Sequence, residues 1–302
     1  MLALRTMSKH KRRRILGDYA FLAPQLVLFV GLTLLPFLVA VPMLLTDRID
    51  FQDSRATYIG LSNFTRVFTD QSVAEEYWPA LWRTVRFTIL NYAMVYVFGL
   101  SLALLIYEVG FRTGFFTIVY LPMMVSGLAT GYMAQMLFSR STGTANLILN
   151  EMGMGMPIDI KLPSGTTVIL PILVGWKYAG FNLAIFLAGL LSIPPETIEA
   201  AIVDGASYWQ RLTRVLFPQM APSFIIATVF CMIGSFGVFD ELMALGATFG
   251  NQEARFLSVM FFIYAFFAKR MALGMTLALE TFLPLTILAF LLQRLQRHLQ
   301  YY

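Results

Sequence analysis

The chain reads as an all-α integral membrane protein of six transmembrane helices, and three observations carry that reading. Hydrophobic residues make up 58% of it and charged residues only 13%, with a mean hydropathy of +0.70, far outside the range of soluble domains. Apolar blocks about as long as a bilayer crossing recur along its length. Between the fourth and fifth of these blocks lies one long amphipathic interruption, residues 192–222.

The basic run Lys9-His10-Lys11-Arg12-Arg13-Arg14 sits in a polar segment, 1–20, directly before the first block, and supplies much of the net charge of +5. Beside an apolar segment, such a run marks the cytoplasmic end of a span rather than a nucleic-acid site. The first span is expected over 21–45, interrupted by Pro24, Pro36 and Pro42, and is too long for a signal-peptide core. Residues 47–80 are polar, with Asp47, Asp50, Asp53, Asp70, Glu75 and Glu76. Further spans are expected over 87–107, 115–138, 168–191, 224–245 and 271–292, leaving a carboxyl-terminal tail, 293–302, with Arg294, Arg297 and His298. The apolar segment 256–268 is too short to cross, so an interfacial or re-entrant helix on the outer face is expected. Six crossings place both ends on one side. Lys and Arg nearly balance across the two sides, so the amino-terminal cluster sets the orientation, with both ends cytoplasmic.

The interruption is the most informative stretch. Pro194 and Pro195 open a first helix, where missing N–H groups cost little, and Glu196 and Glu199 lie near its positive end. Gly205 suits the helix end, and Ser207 with Gln210 has capping-box spacing for a second helix. Trp209, Leu212 and Leu216 recur at helical intervals, with Arg211 and Arg214 on the other side and Pro218 and Pro222 closing the element. Asp204 is a further candidate cap for the second helix.

Glu199-Ala200-Ala201, then Gly205, then Val215-Leu216-Phe217-Pro218 resembles the "EAA" loop of permease subunits of binding-protein-dependent ABC importers. Val215 and Phe217 stand where that family more often has Ile and Leu. The text Asp204-Gly205-Ala206, and Gly60-Leu61-Ser62-Asn63-Phe64 after the first span, looks most like the carbohydrate-uptake branch, in particular the larger maltose-type or glycerol-phosphate-type permease. The resemblance implies the type I importer permease fold in a bacterial or archaeal cytoplasmic membrane, with the loop as the cytoplasmic element that couples to an ATPase. Carried over, Glu199, Ala200, Ala201, Asp204, Gly205 and Pro218 form that coupling element. The family's Thr-x-Gly-Gly-Pro text before the last span is replaced here by Gly246-Ala247-Thr248-Phe249-Gly250-Asn251.

No G-x-x-x-x-G-K-[ST] phosphate loop and no G-x-S-x-G elbow occurs, and the two histidines, His10 and His298, are terminal. The single cysteine, Cys231, admits no intrachain disulfide. The chain is therefore read as a transport subunit without cofactor, not as an enzyme. The resemblance implies that ATP and Mg belong to two partner ATPase subunits, and it implies a second permease, an extracytoplasmic solute-binding protein and a sugar-like solute. An ion-coupled secondary transporter is the rival class, which would call for internal repeats and coupling-ion residues at mid-membrane.

Polar groups inside spans are costly and default to function. Lys177, Tyr178 and Asn182, Asp240 and Glu241, and Glu280 are such groups. Sugars need ring faces and hydrogen-bonding partners together, which makes Tyr178, Asn182, Phe236 and Asp240 the expected substrate-pathway residues. Gly180-Phe181-Asn182 and Phe236-Gly237-Val238-Phe239-Asp240 also resemble family text. Lys177 and Glu280 are a possible ion pair.

Overall fold

The computed structural model describes residues 9–109, 112–155, 158–248 and 250–299, with side chains for 17–109, 114–155, 158–248 and 250–294. Residues 1–8 and 300–302 of the expected tails, Phe249, and the side chains of the basic run, Arg112, Arg297 and His298 lie outside the described residues. The described chain is helical apart from turns and one isolated bridge, Thr46 to Tyr58. Four helices are long and apolar enough to cross a membrane, and two bent pairs bring the number to six if each pair is one span.

The first span, Gly17–Met43 (α1), stands clear of the other helices, with none of its apolar window buried. It is anchored at its far end. Asn63, fully buried at the start of Ser62–Thr69 (α2), donates from Nδ2 to the carbonyls of Leu44 (2.9 Å) and Thr46 (2.8 Å). Both carbonyls are helix-end or turn groups that need a donor, so the Gly-Leu-Ser-Asn-Phe text is a clamp on α1.

The second span differs from expectation. Helix begins at Gln71, capped by Asp70 accepting from the Ser72 N–H, and continues to Val109 (Gln71–Val109, α3). Its first turns are polar on one side only. Val73, Tyr77 and Ala80 face a core shared with Leu257, Phe261, Leu273 and Leu277, and that packing overrides the local charge.

The third and fourth spans are broken. Gly114–Met124 (α4) and Gly127–Phe138 (α5) meet at 89°, where Ser126 turns extended and caps α5 through the Ala129 N–H. Pro163–Lys177 (α7, after the short Thr144–Glu151, α6) and Ala179–Leu191 (α8) bend by 58° at Tyr178. A methyl group at Gly180 would lie 2.6 Å from Tyr120 Cα and 2.7 Å from the Val119 carbonyl. The bend therefore depends on backbone approach that only glycine allows.

Beyond the interruption, Ala221–Phe236 (α11) and Asp240–Ala244 (α12) form the fifth span, and Met271–Leu299 (α14) the sixth. The short apolar helix Leu257–Phe267 (α13) is not laid on the surface as an interfacial helix would be. Leu257, Val259, Met260, Phe261 and Tyr264 are buried, packed against α3 and α14.

Candidate functional site

Two regions gather the residues singled out in the sequence. They are joined by α8, about 20 Å long at 1.5 Å per residue.

The first is the interruption. Pro195–Val203 (α9) has Pro195 at its first position, and Tyr208–Arg211 (α10) runs on as helix through Gln219. Gly205, at φ +78°, closes α9: the Ala206 N–H reaches back to the Ala201 carbonyl (2.9 Å) and the Gly205 N–H to Ile202 (3.0 Å). Ser207 and Gln210 make the reciprocal capping box. Asp204 does not cap α10, since Ser207 holds that position, and Asp204 instead ends α9. Leu212 and Leu216 are buried with Leu187, Leu190, Ile193 and Met220, docking the loop on the bundle at roughly 1.5–3 kcal/mol per leucine. Trp209 departs from that stripe. It is 70% exposed, beside exposed Tyr208, Ile202 and Val203, the last 86% exposed. Glu199, Ala200, Asp204, Gly205 and Pro218 are exposed and Ala201 half-buried. An apolar patch rimmed by carboxylates therefore surrounds the Gly205 turn, and Val203 and Trp209 are the residues sequence reading had not placed there. The signal was available in Trp209, an aromatic ring at the start of a short helix whose leucines suffice to dock it.

The second is a cavity of about 470 Å³ between α3, α5, α7, α8, α11 and α12, within the range of small-molecule sites. The bends at Tyr178 and at Ser126 open it, because each turns a helix away from the axis of its span. Tyr178, Asn182 and Asp240 line it, with Phe181, Phe230 and Phe239 supplying ring faces. Phe236 does not. It points to the other side of α11, against the core built around Tyr264 and Leu277, although Gly237, one residue on, lines the cavity wall. The α11–α12 junction is held there by Ser258 donating to the Val238 carbonyl, and the end of α12 by Gln135 donating to the Ala244 carbonyl.

Lys177 and Glu280 do not pair. Lys177 Nζ donates to Glu241 Oε1 at 2.9 Å, and both side chains are buried at 5% and 7% exposure. The break after Lys177 aims α7's end at α12 rather than at α14. Asn91 was missed as well. It lies on the buried face of α3, where Nδ2 donates to Ser235 Oγ at 2.9 Å and contacts Cys231 Sγ at 3.7 Å. Its only sequence mark is being an amide inside an apolar span. A larger groove, about 680 Å³, runs along Phe116, Tyr120, Ala188, Gly189 and Ser223 but holds no titratable group except Tyr120.

Residues 95–300 match the family described as binding-protein-dependent transport system inner membrane component. The chain belongs to that family. The permease is 28% identical to the probable starch degradation products transport system permease AmyD of Thermoanaerobacterium thermosulfurigenes, over 90% of each chain. It is 28% identical to the trehalose transport system permease SugA of Mycobacterium tuberculosis, covering 96% of this chain and 91% of SugA. It is 30% identical to the arabinooligosaccharides transport system permease AraP of Halalkalibacterium halodurans over 74% of this chain and 69% of AraP. Among solved structures, a chain of a bacterial alginate ABC transporter in complex with an alginate pentasaccharide-bound periplasmic protein superposes with a TM-score of 0.79 at 23% identity, covering 96% of both. The fold is thus that of type I importer permeases. The permease is a membrane-embedded translocation subunit of a binding-protein-dependent ABC importer rather than an ion-coupled carrier.

Proposed function

We propose that this chain forms half of the translocation pathway for a sugar-like solute and is driven by separate ATPase subunits docking at the Gly205 turn. The continuity of the two sites carries this reading. The loop joins α8 directly to α11, and both helices wall the cavity, so a displacement of the docked loop moves the cavity lining as one body. The exposed Val203–Trp209 patch is the kind of surface that a soluble protein hides in a partner's cleft. Ring faces alternating with Tyr178, Asn182 and Asp240 suit a polyhydroxylated solute, and the sugar permeases among the relatives support the same class. The unburied α1 and the one-sided cavity support a second permease completing the pathway, with a solute-binding protein delivering to it. Both termini and the loop then face the cytoplasm, and ATP and Mg stay on the ATPases.

The test is a mild-detergent pull-down of tagged chain from its native membrane, beside Gly205→Val and Trp209→Ala. An ATPase and a second permease are expected with the native chain, and the ATPase alone is expected to be lost from both variants. Absence of any ATPase from the native preparation would remove the reading's main support.

A further inference from the structure

The cavity's charge does not balance. Lys177 is the only cation among its lining residues and is consumed by Glu241 at 2.9 Å. Asp240, exposed on the same wall, has no hydrogen bond or ion pair among the described residues. Two carboxylates thus face one ammonium. The polar atoms tell the same story. Asn91 commits its Nδ2 to Ser235 and leaves Oδ1 buried without a partner, while Asn182 spends its Nδ2 on the Tyr178 carbonyl at 3.0 Å.

We infer that this half of the pathway rejects anionic solutes and accepts neutral polyhydroxylated ones, tolerating an added amine but not a uronate or a phosphate. The inference rests on reading the cavity as the solute pathway. An anion there meets the uncompensated Asp240 carboxylate, whose repulsion is strongest at low ionic strength because the group is exposed. It cannot take Lys177 without stranding Glu241 as a buried unpaired charge. Hydroxyl and ammonium donors, by contrast, find an accessible acceptor in the unpaired Asp240 carboxylate. Discrimination here comes from a repulsive element as much as from contacts.

Cys231, the only cysteine, lines this cavity as a buried thiol, so Gly234→Cys in a Cys231→Ser chain, at an exposed position on the same wall, serves as a second reporter. The purified full chain is treated with methanethiosulfonates bearing a trimethylammonium, a methyl or a sulfonate group, and each rate is normalised to that reagent's rate with free glutathione. The sulfonate is expected to modify the reporter thiol about tenfold or more slowly than the ammonium, with the gap narrowing as ionic strength rises. Asp240→Asn should shrink the gap to about threefold or less. A sulfonate rate equal to the ammonium rate in the native chain overturns the inference without any variant. So does a gap unchanged in Asp240→Asn, or failure of all three reagents to reach the exposed Gly234→Cys thiol. None of these outcomes depends on an ATPase copurifying, so they are separable from failure of the importer reading.

Discussion

The 192–222 loop and the cavity are encoded in opposite ways. The loop is written in consecutive residues: Pro195 to start a helix, Gly205 at φ +78° to end it, and Ser207 with Gln210 to start the next. The cavity is assembled from positions far apart in sequence, with Asn91 beside Ser235, Lys177 against Glu241 and Asn182 near Phe230. Local chemistry therefore makes the loop's exposed surface, and tertiary packing makes the cavity. Substitutions should separate the two by their effect on stability.

The largest effect is expected in the cavity. Lys177→Met strands Glu241 in a buried site and should cost about 3–5 kcal/mol, read as lost thermal stability in detergent. The double variant Lys177→Met with Glu241→Met should recover most of it, since both charges go together. If the single variant were as stable as the native chain, the pair would not be buried as described. Next, Gly180→Ala places a methyl group against the Tyr120 and Val119 backbone, which cannot yield as a side chain would. Overpacking of this kind should cost about 1–3 kcal/mol and straighten the α7–α8 bend.

The loop should behave otherwise. Trp209→Ala removes an exposed ring, so thermal stability should stay within about 0.5 kcal/mol of native while ATPase binding falls. A large loss of stability would show that Trp209 is docked on the bundle and blur the contrast. The smallest effect concerns the segment after α1, which is locally encoded like the loop. Asp47 accepts from the Thr57 hydroxyl (2.8 Å) and N–H (2.6 Å), which hold its carboxyl below the ordinary 3.8. A depressed folded value contributes stability above the unfolded pKa that is lost as pH falls through the folded one. Hydrogen exchange at the Thr57 amide should therefore be protected near neutrality and lose that protection only below about pH 4, and Asp47→Asn should weaken the pH dependence.

What was legible in the sequence follows the same division. Composition and block length specified an all-helical membrane chain, because crossing a bilayer requires apolar length whatever the neighbours are. The loop's helices, turn and capping box were legible too, since each depends on residues within four positions of one another. Tertiary structure alone decided the bend in the fourth span, because Tyr178 carries no breaker of its own and the 58° turn rests on Gly180 meeting another helix. It also decided the partner of Lys177. Sequence spacing offers Glu241 and Glu280 alike, and only the direction of α7 after folding brings the first within hydrogen-bonding reach. Phe236 fails for the same reason. A difference of one residue along α11 separates cavity wall from core, and the rotation of a helix about its axis is set by everything packed around it.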